Sequence, residues 1–143
     1  MKSDTDLASR VHRFRALFAG LDRAYGTYRL TGQVTEGGKR EGVATTERGP
    51  VTQNLWEAHL SGTQGLGIIP IQDGDTCTFG AIDVDIYCTL DHGAVAATVA
   101  QRGWPLVTCC SKSGGLHLFL FTAQPETAGR VQLQSADAQH CLK

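Results

Sequence analysis

Ala81-Ile82-Asp83-Val84-Asp85-Ile86-Tyr87 is an apolar run that carries two carboxylates at alternate positions. Successive side chains of a strand point to opposite faces, so Asp83 and Asp85 share one face and Ile82, Val84 and Ile86 the other. Two like charges side by side repel each other, and neither is buried cheaply without a counter-charge. A hard divalent cation, Mg²⁺ or Mn²⁺, shared with a phosphate-bearing substrate resolves that conflict. Phe79 and Ala81 before the acids and Ile86 and Tyr87 after them read as a central strand, Thr76 to Tyr87, where solvated acids are unusual.

Downstream stands Ser111-Lys112-Ser113-Gly114-Gly115-Leu116-His117-Leu118-Phe119-Leu120-Phe121. The two glycines permit close approach of the backbone to a phosphate, Lys112 and Ser113 offer a cation and a hydroxyl, and His117 opens an apolar strand. In this setting His117 donates to a triphosphate oxygen rather than acting as a base. The two strings together predict a nucleotide-and-metal site made of Asp83, Asp85 and His117, with Lys112, Ser113, Gly114 and Gly115 at the phosphates. The opposing reading is a pair of solvated acids, an exposed turn lysine and a structural histidine.

Working outward, Leu7, Val11, Phe14, Leu17, Phe18 and Leu21 recur at helical spacing and predict an amphipathic N-terminal helix. Tyr28 to Val34 reads as extended. Residues 35–50 are polar and glycine-rich and read as a loop. Within it Gly37-Gly38-Lys39 lacks the ending of a phosphate-binding loop and reads as a solvated tip. A second helix spans Thr52 to Leu60, and Leu66 to Pro70 makes a short strand. Asp91 to Arg102 is a small-residue helix, and Leu106 to Cys110 and Leu116 to Thr122 are strands flanking the double glycine. A helix after the acidic strand, followed by a hairpin, predicts an α+β fold with a mainly antiparallel sheet. Residues 123–143 have sparse apolar positions and read as a loop and tail, leaving 1–122 as the folded part.

The chain has 143 residues, 41% of them hydrophobic, and a net charge of −1. Its length suits one domain with a real core, and its composition is that of a globular rather than a disordered chain. Near-neutral charge argues against tight, stand-alone binding of duplex nucleic acid, which requires a strongly basic face. No run of roughly 18 apolar residues marks a membrane span, so no membrane partner is expected. The five cysteines form no C-x-x-C pair, Met1 to Asp6 has no apolar leader, and reduced thiols in a cytoplasmic protein follow. The vicinal Cys109 and Cys110 read as strand packing. His59 and His92 receive no role.

An acidic D-x-D strand, a helix, and then S-x-S-G-G-x-H before an apolar strand resemble the archaeo-eukaryotic primase superfamily, nearest to primase-polymerase domains of phages, plasmids and bacterial conflict systems. The stretches Phe18 to Tyr28, Arg48-Gly49-Pro50-Val51-Thr52 and Leu66 to Ile71 are similar to the opening of such domains, so the resemblance covers about residues 14–122. It implies an RRM-like catalytic sheet with flanking helices, an N-terminal helix packed on it, and polymerisation of nucleotides on a template. It further implies that Asp83 and Asp85 hold Mg²⁺ or Mn²⁺ and that Ser113 and His117, assisted by Lys112, contact a nucleoside triphosphate. The family has a third acidic motif on a later strand. Glu126 and Asp137 are the only later acids here, and neither lies in a clearly apolar strand. Two functions therefore compete. One is a primase-polymerase acting on single-stranded nucleic acid, incomplete as the chain stands. The other is a non-catalytic, primase-derived binding protein, such as a phage-encoded inhibitor directed at a host protein complex. A metal-dependent nuclease comes third.

Overall fold

A computed structural model describes residues 4–34, 40–84, 90–111 and 114–141. The chain is α+β and divides into two compact units, Met1–Gly74 and Asp75–Lys143. The fold class expected from the sequence is the one observed.

The first unit begins with helix α1, Asp4–Leu17, continues through strands β1, Ala24–Val34, and β2, Arg40–Arg48, then helix α2, Gln53–Leu60, and strand β3, Gly65–Ile68. Its sheet is antiparallel in the order β2-β1-β3. Thr52 caps α2, its hydroxyl accepting from the Leu55 N–H at 3.4 Å, which satisfies one of the donors a helix start leaves open. Trp56 on α2 and Val11 on α1 are buried, and the two helices pack together. Residues 40–48 thus correct the sequence reading: they form the second strand of a long hairpin, not a loop. Most of both strands is exposed, so no apolar alternation marks them, and the pairing rests on the backbone ladder to β1. Gly37, Gly38 and Lys39 lie outside the described residues.

The end of this unit is tied by Arg23, whose Nε and Nη2 donate to the Asp73 carboxylate at 2.8 to 3.2 Å. Those hydrogen bonds hold the Asp73 carboxyl below its ordinary range. A value depressed by folding contributes stability above the unfolded value, about 4, and loses it as pH falls through the folded value. Both side chains are exposed, so the contribution is small.

The second unit contains β4, Thr76–Val84; α3, His92–Gln101; β5, Leu106–Cys110; β6, Leu116–Thr127; and α4, Ala128–Cys141. Both β4 and β5 run antiparallel to β6, in the order β4-β6-β5, so they are parallel to each other and joined through α3. This is a split β-α-β unit with the third strand inserted between the first two. β6 is therefore the central strand. Among the described strands the acid-bearing β4 lies at an edge, contrary to the expectation of a central position, because β6 is inserted between it and β5. Asp91 caps α3 through Oδ1, which accepts from the Ala94 N–H at 2.9 Å.

Most of the core fills the face that α3 and α4 cover, and Phe79 is buried on the other. Ile82, Leu116 and Leu118 pack with Val95 and Val99 of α3, and Cys77 and Leu120 pack with Val131 of α4. Residues 123–141, read from the sequence as loop and tail, are instead the end of β6 and helix α4. The helix docks because Gly80 has no side chain: a Cβ there would sit 2.7 Å from Cγ1 of Val131. Backbone-close packing of this kind leaves little trace in hydropathy.

Gly80→Ala should therefore push α4 off the sheet and cost about 1–3 kcal/mol, read as a lowered denaturant midpoint. Adding Val131→Ala should recover part of the loss, whereas strict additivity would remove the clash as its cause. The Asp73 carboxyl should titrate below the ordinary carboxylate range by NMR and move up in Arg23→Gln, an unmoved midpoint counting against the Arg23 bond.

Candidate functional site

The register between β4 and β6 puts Asp83 directly opposite His117, and the register between β5 and β6 puts Cys109 on the other side of His117. Directly opposed residues share a face, so Asp83, His117 and Cys109 form a row across all three strands. Their neighbours Ile82, Leu116 and Leu118 face α3, so the row lies on the face turned away from α3 and α4. Two of the sequence-predicted site residues are thus brought together. His117 Nε2 lies 3.3 Å from Asp83 Oδ1, with side-chain exposures of 42% and 61%.

That geometry decides how tightly the acid is held. An ion pair this exposed is worth about 0–1 kcal/mol, so Asp83 is not locked to His117 and its oxygens can be exchanged to another cation. The ring of His117 is oriented from the other side by Phe119, edge-on with centroids 6.0 Å apart. Beside the row, Val107 is 50% exposed and Cys109 is exposed. Cys109 and Cys110 are both exposed rather than packed as expected, since β5 is an edge strand.

The glycine turn stands at the mouth of this face. Ser111 N–H donates to the Gly115 carbonyl at 2.9 Å and Gly114 N–H to the Ser111 carbonyl at 3.2 Å. Gly114 has φ +88°, a left-handed conformation that only glycine adopts without strain, so the turn requires it. Gly115 and Leu116 are buried and fix the start of β6. Asp85, Lys112 and Ser113, expected at the metal and the phosphates, lie outside the described residues.

His92 was missed by sequence reasoning. Its Nε2 lies 3.1 Å from the Gly114 carbonyl and 3.2 Å from that of Gly115, so the first residue of α3 reaches the turn. The only sequence signal was its place just after the helix-capping Asp91.

Among the described residues no group of three His, Cys, Asp or Glu side chains converges as a metal centre. Glu126 lies nine residues beyond His117 on β6, about 30 Å along the strand at the usual rise, and is engaged by Arg130 at 3.2 Å. It does not complete the site. Asp137 falls within α4. Asp83 is the one expected metal ligand that the described residues contain.

The α+β architecture of the chain is consistent with a primase-like fold. The family model for the archaeo-eukaryotic primase domain of TOTE conflict systems matches residues 24–136. This is most of the chain, and the protein belongs to that family. No curated protein matches the chain.

The three described free thiols should separate by exposure. Cys109 and Cys110 should react with a thiol reagent in the folded protein, while Cys77, buried and with its thiol pushed up by desolvation, should react only after unfolding. Equal labelling of Cys77 in the native state would contradict the core described for this unit.

Proposed function

We propose that the open face of the second unit binds a nucleoside triphosphate with a divalent cation and takes part in template-dependent nucleotide polymerisation. The observation that carries the reading is the pairing of Asp83 with His117, at 3.3 Å, beside the left-handed turn at Gly114. Asp83 would hold Mg²⁺ or Mn²⁺. Such an ion supplies charge neutralisation at the triphosphate and orients it for in-line displacement.

The chain's own residues account for the rest. The imidazole of His117 donates from Nε2 to a phosphate oxygen, exchanging a weak contact with Asp83 for a charge-assisted one. Gly114, exposed and without a side chain, leaves room for the phosphates to approach the backbone. The sheet face beside His117, at Cys109 and Val107, is open to the remainder of the nucleotide. A single-stranded template is the nucleic-acid partner this reading requires, in keeping with the near-neutral charge of the chain.

The test is Mn²⁺-dependent incorporation of nucleotides on a primed and an unprimed single-stranded template. Asp83→Asn should lower incorporation by about 100-fold or more, the scale of losing a group that stabilises transition-state charge, with the thermal midpoint unchanged. Incorporation that survives in Asp83→Asn would sink the assignment of this acid. Triphosphate binding without any incorporation would favour the non-catalytic binding protein instead.

A further inference from the structure

We propose that His92 is a positioning residue for the glycine turn, holding the Gly114 and Gly115 carbonyls so that the turn is already in place when a triphosphate arrives. The inference rests on the nucleotide reading above and adds a residue to it. Both partners of His92 Nε2 are carbonyl oxygens, which only accept, so Nε2 carries the hydrogen and donates to both, at 3.1 and 3.2 Å.

The backbone that presents this donor is itself fixed. His92 is the first residue of α3, and Asp91 closes the helix start with its carboxylate on the Ala94 N–H at 2.9 Å and its carbonyl on the Val95 N–H at 3.1 Å. α3 is in turn anchored on the sheet through Val95 and Val99. The imidazole therefore acts as a strut from α3 to the two glycines of the hairpin.

Glycines lose more backbone freedom on ordering than any other residue. Two in succession, at the point where an anion must be gripped, would have to be ordered by the ligand at the expense of affinity. A donor that orders them beforehand removes that cost from binding. The Gly115 carbonyl receives two donors, Ser111 from across the hairpin and His92 from the helix, which ties the turn in two directions. Two residues further on stands His117, so the strut and the phosphate donor share one short segment anchored at Leu116, 1% exposed.

The experiment compares the full chain with His92→Leu, which has no donor, and His92→Gln, whose amide can replace the Nε2 hydrogen. Amide hydrogen exchange at Gly114, Gly115 and Leu116 is measured without ligand, and binding of ATP with Mg²⁺ is measured in parallel. In His92→Leu, exchange at the turn should rise about tenfold and ATP should bind about five- to tenfold more weakly, the size of one net hydrogen bond or a little more. The thermal midpoint should fall by only about 2–5 °C, the scale of one such bond, and His92→Gln should return exchange and ATP binding to within about threefold of the parent. Unchanged exchange at the turn in His92→Leu overturns the strut. Faster exchange with unchanged ATP affinity overturns the positioning role. If the parent itself binds no ATP while His92→Leu loosens the turn, the nucleotide reading fails and His92 is left as a structural fastening only.

Discussion

Leu118, near the start of β6, has no exposure at all, and the register that buries it is the same register that sets His117 against Asp83. The side-chain period of a strand is two residues, so a slip of one would turn Leu116, Leu118 and Leu120 to the open face and His117 into the core. The cost of exposing those leucines, about 2–5 kcal/mol each by analogy with truncating them, is what holds the pairing in place. Function at this face is thus tied to the packing behind it. Helices α3 and α4 cover one side of the sheet, and the proposed site lies on the other.

The same constraint explains why one acid is exposed in an otherwise apolar strand. β4 lies at an edge and packs into the α3 core through Ile82 and Val84, while Phe79 is buried on the face that carries Asp83. Asp83 faces out and meets a partner, His117, that is itself half-exposed. A weak pair of this kind leaves the carboxylate available to a cation. Had the two side chains been buried together, the desolvated pair would have been expensive to open.

Much of the second unit was legible in the sequence because its elements carry local signals. The helix after the acids was readable from Asp91 as a cap and from valines at packing spacing. The hairpin was readable from Gly114-Gly115 between two apolar runs, and the juxtaposition of Asp83 with His117 from two short strings with complementary chemistry. What was not legible depends on contacts between distant residues. β2 is polar on both faces and becomes a strand only by pairing with β1. α4 looks like a tail because it docks through Val131 and small residues onto the bare backbone of Gly80. The edge position of β4 follows from the insertion of β6 between β4 and β5, which no local pattern announces. His92 reaches the turn across 22 residues of sequence, and a lone histidine at a helix start gives no sign of that.

The central claim is that a triphosphate with its cation is held at the row formed by Asp83 and His117 beside the glycine turn. The most direct measurement is an NMR titration of the full chain with a non-hydrolysable nucleoside triphosphate and Mg²⁺. Shift changes should concentrate at Asp83, Gly114, Gly115 and the His117 ring, and should be lost in His117→Ala. Changes confined to residues of the first unit, or none at millimolar nucleotide, would contradict it.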